Sequence, residues 1–291
     1  MSGIDAHHHL WDASWRDYVW MDGPWADPLR RRFIPEDLAP LAEAHGVDAT
    51  VVVQAIGDID ETRELLATAS TTPLIAGVVG WVDLLSPDVA DQLAALMVRR
   101  GGEKLVGIRH QVQDEPDPGW LLRPEVIRGL SAVASAGMAF DLLVKPPQLD
   151  AAVEVVDRVP ELLFVVDHLA KPDIAGGMGE PWTSGVAALA AAPNVTAKLS
   201  GLVTEADWRS WSVADLRPYV AHAVEQFGSA RLLFGSDWPM CLLAADYHRV
   251  FEAVELLLVE VGLSTDEMAD VFGNTARRVY DLENPGFGGG E

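Results

Sequence analysis

The chain has 291 residues, enough for one large barrel or sandwich or for two small domains, and 49% of them are apolar. Its 44 acidic and 21 basic residues give a formal charge of -23, which disfavours nucleic acid and anionic membrane surfaces as partners. Cys241 is the only cysteine, which excludes an internal disulfide and a cysteine-based metal cluster. No apolar run has the length of a membrane span and the first residues lack signal-peptide features, so we expect a cytoplasmic protein.

Eight apolar runs rich in β-branched residues predict eight strands. They span residues 4–10, 49–55, 75–82, 105–112, 139–144, 163–167, 195–199 and 232–235. Helical periodicity is found between them, for example in residues 34–45, 88–100, 124–136 and 216–227. Alternating strands and helices imply parallel strands joined by crossovers, which in a chain of this length predicts an α/β fold, the (β/α)8 TIM barrel. A doubly wound open sheet is the alternative, but no G-x-G-x-x-G motif follows the first strand.

The end of the chain predicts a helical extension beyond the barrel. Residues 268–280 are expected to form a closing helix, and residues 264–267 resemble a capping box at its start. Residues 284–291 contain too few apolar side chains to order themselves, so we expect a flexible C-terminal tail. Residues 1–283 are then expected to form a single barrel domain.

Three adjacent histidines lie on the first predicted strand. Side chains alternate along a strand, so His7 and His9 leave on one side and His8 on the other. Asp237 follows the last predicted strand and arrives at the same end of a barrel. Two imidazoles and a carboxylate there predict a metal site, or a general base beside one. The alternatives are a tag remnant for the histidines and an ordinary turn around Asp237.

Further polar residues end other predicted strands at the same rim. Arg109 and His110 end the fourth strand, where a guanidinium clamps a carboxylate or polarises a carbonyl. His168 ends the sixth strand and Lys198 the seventh. For Arg109, His110 and Lys198 taken singly, a structural ion pair or hydrogen bond is an equal alternative. Their coincidence at one rim favours a role in substrate binding.

All ten tryptophans are predicted to lie at strand ends or in the loops that follow. Aromatic faces with a polar edge suit the weakly apolar faces of a sugar or a ring lactone. Most of the tryptophans are expected to form a small core for the long loop of residues 11–32. The candidates for substrate contact are Trp11, Trp81 and Trp238.

Seven motifs follow one another in order along the chain. They are residues 4–11 (IDAHHHLW), 107–110 (GIRH), 113–116 (QDEP), 167–172 (DHLAKP), 198–202 (KLSGL), 234–239 (FGSDWP) and 273–276 (GNTA). The ordered set resembles the amidohydrolase superfamily, within its amidohydrolase-related group of sugar lactonases and pyrone dicarboxylate lactonase. The resemblance covers nearly the whole chain and implies a (β/α)8 barrel that hydrolyses a lactone or a related ester or amide. It further implies that Asp237 activates water and that His7, His9 and His168 bind a metal or hold the substrate carbonyl.

The sequence departs from the two-metal members of this superfamily. Those proteins bridge two ions with a Lys or Glu of strand 4 and add a histidine from strand 5. Here strand 4 ends in Arg109 and His110, and strand 5 ends at residues 144–146 without a histidine. We therefore expect zero or one divalent ion, most favourably zinc. Its predicted ligands are His7, His9, Asp237 and His168.

These residues predict a hydrolase that opens a small-molecule lactone, most favourably a sugar (aldono) lactone. Asp237, His168 and Arg109 are the predicted catalytic residues, with His110, Lys198 and the three candidate tryptophans binding substrate. Two alternatives stay open: a metal-dependent decarboxylase of an aromatic or related carboxylic acid, and a catalytically inert barrel that binds a small molecule. An oligomer is possible, and neither nucleic acid nor membrane is expected as a partner.

Overall fold

Eight parallel strands form the centre of the computed structural model, which describes residues 3–282. They are β1 (Gly3–His8), β2 (Val47–Val53), β3 (Ile75–Gly80), β4 (Leu105–His110), β5 (Ala139–Leu142), β6 (Phe164–Val166), β7 (Val195–Leu199) and β8 (Leu232–Phe234). Each strand pairs with its neighbour in chain order. The predicted barrel is confirmed, and most strands end slightly earlier than predicted, because the chain turns there into the loops that carry the polar side chains.

The barrel closes where β8 meets β1. His8 and Trp238 form a parallel bridge across this seam. The N–H of Asp237 donates to the carbonyl of His7 at 2.8 Å, and the N–H of His9 donates to the carbonyl of Trp238 at 2.7 Å. Backbone hydrogen bonds thus fix the first and last strands, and the polar side chains at their ends, next to each other.

An irregularity in β1 decides which of its side chains face the barrel interior. Between Asp5 and His8 the pairing with β2 is shifted, so that β1 carries one extra residue. Ala6 packs in the interior with side chains of the neighbouring strands, and simple alternation would then turn His7 outward. The bulge resets the alternation. His7 therefore faces the interior, and His8 bonds Thr50 Oγ1 at 3.0 Å, away from it.

Eight helices pack around the barrel. They are α1 (Pro35–Ala44), α2 (Ile59–Ala69), α3 (Val89–Met97), α4 (Pro124–Ser135), α5 (Leu149–Arg158), α6 (Trp182–Ala191), α7 (Val213–Phe227) and α8 (Tyr247–Glu260). The four stretches named above for their helical periodicity are confirmed as α1, α3, α4 and α7. Their apolar faces, with Leu38, Leu93, Leu130 and Val220 fully or almost fully buried, cover the outer surface of the sheet. Among residues 3–282, no helix is both long and apolar enough to cross a membrane.

A helical extension closes the end of the barrel at which the strands begin. α9 (Thr265–Ala269) continues through a π turn (Asp270–Asn274) into α10 (Thr275–Val279), so the predicted closing helix is confirmed. The side chain of Tyr280 enters the interior beside Gly107, where an added Cβ would lie 3.6 Å from the Tyr280 ring. The predicted flexible tail, residues 284–291, lies outside the described residues.

The loop after β1 builds its own aromatic core above the barrel. Its two ends, Trp11–Asp12 and Arg32–Phe33, pair as short antiparallel strands. Trp11 Nε1 donates to the carbonyl of Leu29 at 2.9 Å, and the Trp11 ring lies 5.9 Å from Tyr18. The loop is thereby held over the carboxyl ends of the strands, as the sequence predicts.

Candidate active site

A cavity of about 490 Å³ opens at the carboxyl ends of the strands. Aromatic side chains from two loops form one part of its wall, and they are Trp11, Trp20, Trp25 and Trp208. Three acidic and three basic residues also line it, namely Asp114, Glu205, Asp237, Arg109, Lys145 and Lys171. The cavity therefore combines aromatic surface with charges that balance, unlike the strongly acidic chain as a whole.

Four side chains converge on one point at the floor of this cavity. The Nε2 atoms of His7 and His9 are 3.2 Å apart. Asp237 Oδ1 lies 3.7 Å from His7 Nε2, 3.5 Å from His9 Nε2 and 4.0 Å from His168 Nε2. Zinc ligands at the usual bond lengths are about 3.3 Å from one another in a tetrahedral site. His7, His168 and Asp237 each offer a ligand atom within 4.8 Å of the others and could hold a single zinc ion, and His9 Nε2 lies beside His7 and Asp237. All four belong to the predicted ligand set.

Hydrogen bonds on the far side of the rings orient these histidines. His9 Nδ1 lies 2.8 Å from the carbonyl oxygen of Val53, which only accepts, so Nδ1 carries the proton and Nε2 presents its lone pair to the floor. His168 Nδ1 lies 2.8 Å from Ser200 Oγ, and a hydroxyl either donates or accepts. Metal-binding histidines in proteins are oriented in the same way, by a hydrogen bond from the ring nitrogen that does not bind the metal.

Burial keeps the histidines of the floor neutral and the carboxyl ionised. Burial lowers the pKa of His168 to about 4, and it lowers the pKa of His7 and His9 below the ordinary histidine value as well. Burial alone would raise the pKa of Asp237. In acid, where the histidines become protonated, attraction to His168, a hydrogen bond to His9 and attraction to His7 and His9 outweigh burial and hold that pKa well below the usual range. Neutral imidazoles beside a carboxylate are the protonation states that metal binding and general-base catalysis both require.

Strained backbone places two of the site residues. Asp237 has φ of 55°, and the run from His168 to Lys171 has four consecutive positive φ values of 54°, 50°, 59° and 49°. Left-handed backbone costs non-glycine residues roughly 1–2 kcal/mol each, so four in a row persist only where the surroundings impose them. Here the left-handed turn aims His168 at the floor and Lys171 at the cavity wall, where Lys171 pairs with Glu205 at 2.9 Å.

Arg109 lies at the floor, as predicted, and its guanidinium is already engaged. Nη1 donates to Asp167 Oδ2 at 3.0 Å and lies 3.4 Å from His7 Nε2, while Nη2 donates to the carbonyl of Gln54. Arg109 lines the cavity with 3% of its surface exposed. Its fixed position suits polarising a carbonyl better than clamping a free carboxylate.

The structure does not bring His110 and Trp81 to the cavity wall. Because Arg109 points inward, its neighbour His110 leaves on the other side of β4. There His110 stacks on Trp120 at 4.3 Å, bonds Glu115 at 2.8 Å and accepts from Trp81 Nε1 at 3.1 Å. The sequence predicts that both residues bind substrate. In the structure they are instead hydrogen-bonded to each other outside the cavity lining.

Lys198 and Trp238 likewise lie outside the lining of the cavity. Lys198 is fully buried behind His7, where it pairs with Asp141 and Asp167. Trp238 is 2% exposed and packs edge-on against Phe33 at 5.2 Å. Of the predicted tryptophan contacts, Trp11 lines the cavity. The prediction that Lys198 and Trp238 line the cavity is therefore wrong, because the position of a residue at a strand end does not decide whether its side chain points into the cavity or behind it.

Several lining residues were not singled out from the sequence. They are Trp20, Trp25, Trp208, Gln111, Gln113, Asp114, Lys145, Lys171 and Glu205. All of them lie in loops that follow strands, which was the available signal. Which loop residues face inward depends on loop conformation, and no periodicity reports that.

Comparison with known proteins agrees with this geometry. The family described as Amidohydrolase matches residues 4–282 of this chain. An L-fucono-1,5-lactonase of Burkholderia ambifaria is 40% identical over 285 residues, covering 97% of this chain and 96% of the relative. Two crystal structures of an amidohydrolase from Burkholderia multivorans each cover 97% of this chain and 100% of their own. One holds HEPES (TM-score 0.90, 38% identity) and the other holds zinc (TM-score 0.89, 37% identity). The chain belongs to the amidohydrolase family.

Proposed function

We propose that this protein hydrolyses a neutral sugar lactone, with Asp237 as the general base. One observation carries the proposal: the Asp237 carboxylate and the neutral His7, His9 and His168 converge at the floor of a cavity lined by tryptophans. A carboxylate for water and donors for a carbonyl oxygen are the two groups that lactone opening needs at adjacent positions.

In the first step, Asp237 accepts a proton from a water molecule, whose oxygen forms a bond to the lactone carbonyl carbon. The carbonyl oxygen gains negative charge as its double bond opens. Arg109 Nη1, 3.4 Å from His7 Nε2, and a floor histidine that carries its proton on Nε2 stabilise that charge. Because Arg109 is held by Asp167 and Gln54, it needs no reorganisation at the moment of reaction.

In the second step, the bond from the carbonyl carbon to the ring oxygen breaks. The leaving oxygen needs a proton, and Asp237 returns the one that it has just accepted. The product is an open hydroxy acid, whose carboxyl group then loses a proton to solvent. Asp237 ends ionised, as its lowered pKa requires at neutral pH.

The floor also fits one zinc ion, which His7, His168 and Asp237 would hold, with His9 Nε2 beside His7 Nε2 as a further donor. Bound zinc supplies Lewis acidity to a carbonyl oxygen and lowers the pKa of water. The related amidohydrolase crystallised with zinc makes this ion the first choice for a metal test.

Charge and wall composition favour a neutral sugar lactone over an anionic one. The six charged lining residues balance, Lys171 is paired with Glu205, and Arg109 is paired with Asp167. A di-anionic substrate would meet Asp114, Glu205 and Asp237 without enough free cations to offset them. Aromatic rings beside Gln111 and Gln113 suit the faces and hydroxyls of a sugar ring. The 40% identical L-fucono-1,5-lactonase supports the same class.

A panel of aldonolactones tested beside pyrone dicarboxylates and muconolactones decides the proposal, with proton release as the readout at one ionic strength. We expect the neutral sugar lactones to have at least about tenfold higher kcat/KM. A tenfold preference for dicarboxylates contradicts the substrate class. Carbon dioxide release from an aromatic acid would indicate a decarboxylase instead, and tight binding of every lactone without turnover would indicate an inert barrel. Metal content is measured on the same sample.

A further inference from the structure

A cluster of fully buried charges lies behind His7, and the reaction described above uses only its Asp167, to hold Arg109. Lys198 Nζ pairs with Asp141 Oδ2, lies 3.0 Å from Asp167 Oδ1, and lies 3.1 Å from His7 Nδ1. Lys198, Asp141 and Asp167 have no solvent exposure, and none of them lines the cavity in the described part of the chain. A buried ammonium beside a ligand histidine is unfavourable for binding a cation, so its position calls for a reason.

The outer ends of this cluster are fixed. Tyr280 donates its hydroxyl to Asp141, with Oδ1 at 2.8 Å and Oδ2 at 2.9 Å. Arg109 Nη1 donates to Asp167 Oδ2 at 3.0 Å. If the Lys198 ammonium moved away, the buried carboxylates of Asp141 and Asp167 would lose their shared positive partner, which is energetically costly. The ammonium is held against the His7 ring by the fold itself.

His7 Nδ1 faces both a donor and an acceptor. Lys198 Nζ, 3.1 Å away, only donates, and Asp167 Oδ1, 3.3 Å away, only accepts. A neutral imidazole carries a proton on only one of its two nitrogens. His7 Nδ1 therefore either accepts from Lys198 or donates to Asp167, but not both at once. Asp167 Oδ1 lies 3.0 Å from Lys198 Nζ and 3.3 Å from His7 Nδ1, and within residues 3–282 it makes no well-aligned hydrogen bond, so accepting from Nδ1–H needs a small reorientation of the two side chains.

The opposite side of the ring shows which bond forms when the floor holds no cation. His9 Nε2 presents a lone pair, because its Nδ1 proton is bonded to the carbonyl of Val53. His7 Nε2 lies 3.2 Å from it. Two lone pairs at that distance repel, unless a cation lies between them or one nitrogen carries a proton. Without a cation, a proton on His7 Nε2 removes this repulsion, and Nδ1 then accepts from Lys198. Arg109 Nη1, the other donor near His7 Nε2, is farther away at 3.4 Å and already donates to Asp167 Oδ2.

We propose that Lys198 and Asp167 select between two tautomers of His7, and that Lys198 thereby weakens metal binding at the floor. With the proton on Nε2, His7 donates to His9 or to a substrate oxygen and cannot ligate through Nε2. With the proton on Nδ1, bonded to Asp167, Nε2 is free for a metal. The imidazole stays neutral in both forms, since one nitrogen gains a proton from solvent as the other loses one to solvent.

Lys198 is thus a positioning residue that acts through His7. The proposal rests on the proposed function only in taking the His7, His9, His168 and Asp237 cluster as the reacting centre. Its tests use zinc and nuclear magnetic resonance without any substrate. A failed lactone panel and a failed tautomer measurement are therefore distinguishable results.

The first test measures the His7 tautomer directly, by long-range nitrogen–proton correlation on chelator-treated wild-type protein. We expect the proton on Nε2 without metal and on Nδ1 after one equivalent of zinc is added. A proton on Nδ1 in the metal-free protein overturns the proposal, and so does an unchanged Nε2–H tautomer at zinc saturation. This measurement needs no variant, so it stands even where a buried substitution prevents folding.

The second test compares zinc dissociation constants, obtained by competition with a chromophoric chelator. The double variant Lys198→Met with Asp141→Asn removes one positive and one negative charge together. We expect it to bind zinc about tenfold more tightly, and Asp167→Asn to bind it about tenfold more weakly. Lys145→Met, at the cavity wall, is the matched control and is expected to leave the constant within about twofold. A double variant that is folded and binds zinc no more tightly than wild type overturns the proposal, because a merely structural role predicts no opposite changes.

Discussion

The floor and the mouth of the cavity are built in different ways. At the floor, His7 and Asp237 are fully or almost fully buried and in contact with each other. At the mouth, Trp25 and Trp208 are 40% and 37% exposed and contact each other at 6.2 Å across two loops. The floor lies on strand ends tied by the barrel seam, whereas the mouth lies on loops that the barrel does not constrain. Under the proposed function, the bond-breaking steps belong to the rigid floor and the choice of substrate to the loops of the mouth.

The variant Asp237→Asn tests most directly whether the floor carries out the chemistry. The amide keeps the shape and hydrogen-bonding capacity of the carboxyl but cannot accept a proton from water. We expect kcat/KM for a sugar lactone to fall by at least about a hundredfold. The thermal unfolding transition should stay close to that of wild type, since the seam is made by backbone groups of Asp237 and His7. An Asn variant with near wild-type turnover and an unchanged transition would falsify the role of Asp237.

His8 tests the outward side of the same strand through the pH dependence of stability. Burial lowers the pKa of His8 to about 3 in the folded chain, against an ordinary value of 6.5 when unfolded. Below the unfolded pKa, the unfolded chain binds the extra proton, so this histidine makes folding less favourable as pH falls. Between neutral pH and about pH 5, the expected loss is about 2 kcal/mol, a factor of roughly thirty in the unfolding equilibrium.

Denaturant unfolding of wild type and His8→Asn at both pH values measures this effect. We expect the free energy of unfolding of His8→Asn to depend less on pH, by about 2 kcal/mol over the same interval. The other buried ionisable groups are present in both proteins and cancel in the difference. Equal pH dependence in the two proteins would mean that His8 takes up a proton in the folded state.

Gly201 tests how closely the floor is packed. Its φ is +60°, and an added Cβ would lie 2.5 Å from His168 Nδ1 and 3.0 Å from Asp237 Oδ2. Gly137 also has positive φ, +74°, but nothing lies within 4 Å of its added Cβ. Gly137→Ala therefore measures backbone strain alone, about 1 kcal/mol of stability. Gly201→Ala adds displacement of two site residues, and we expect at least about a tenfold loss of kcat/KM beyond its control. Equal activity of the two variants would show that the floor tolerates movement.

The same division explains how far the sequence alone leads. The eight strands were predicted because each is a short apolar run between helical stretches. His7, His9, His168 and Asp237 were found because they end such runs and a barrel brings strand ends together. At residues 109 and 110 alternation predicts that one side chain points inward, but it does not say which.

The cluster behind His7 could not be predicted for a related reason. Asp141 lies inside an apolar strand, and Tyr280 lies 139 positions further along the chain, directly after the closing helix. Their contact depends on how the helix enters the barrel, beside Gly107. The tryptophans of the mouth were expected in the right loops. Their inward or outward direction is set by loop conformation, which leaves no period in the sequence.

The smallest expected effect is that of removing a tryptophan at the mouth of the cavity. It tests whether the mouth contributes to substrate binding and not to the chemical step. Trp208 lines the cavity and its Nε1 donates to the carbonyl of Thr204 at 2.8 Å, so its ring has a fixed direction. Contact between two aromatic rings contributes about 0.5–1.5 kcal/mol, and we take the same order of magnitude for a sugar face on the Trp208 ring. We therefore expect Trp208→Ala to raise KM by about two- to tenfold while kcat changes by less than about twofold, since the lost contact is equal in the ground and transition states.

Trp15 is 68% exposed in the loop after β1 and does not line the cavity, so Trp15→Ala is the matched control and should leave both constants unchanged. Steady-state kinetics with the best lactone of the panel separates the two constants. A fall in kcat with constant KM would place Trp208 in the chemical step, and the separation between floor and mouth would then be wrong.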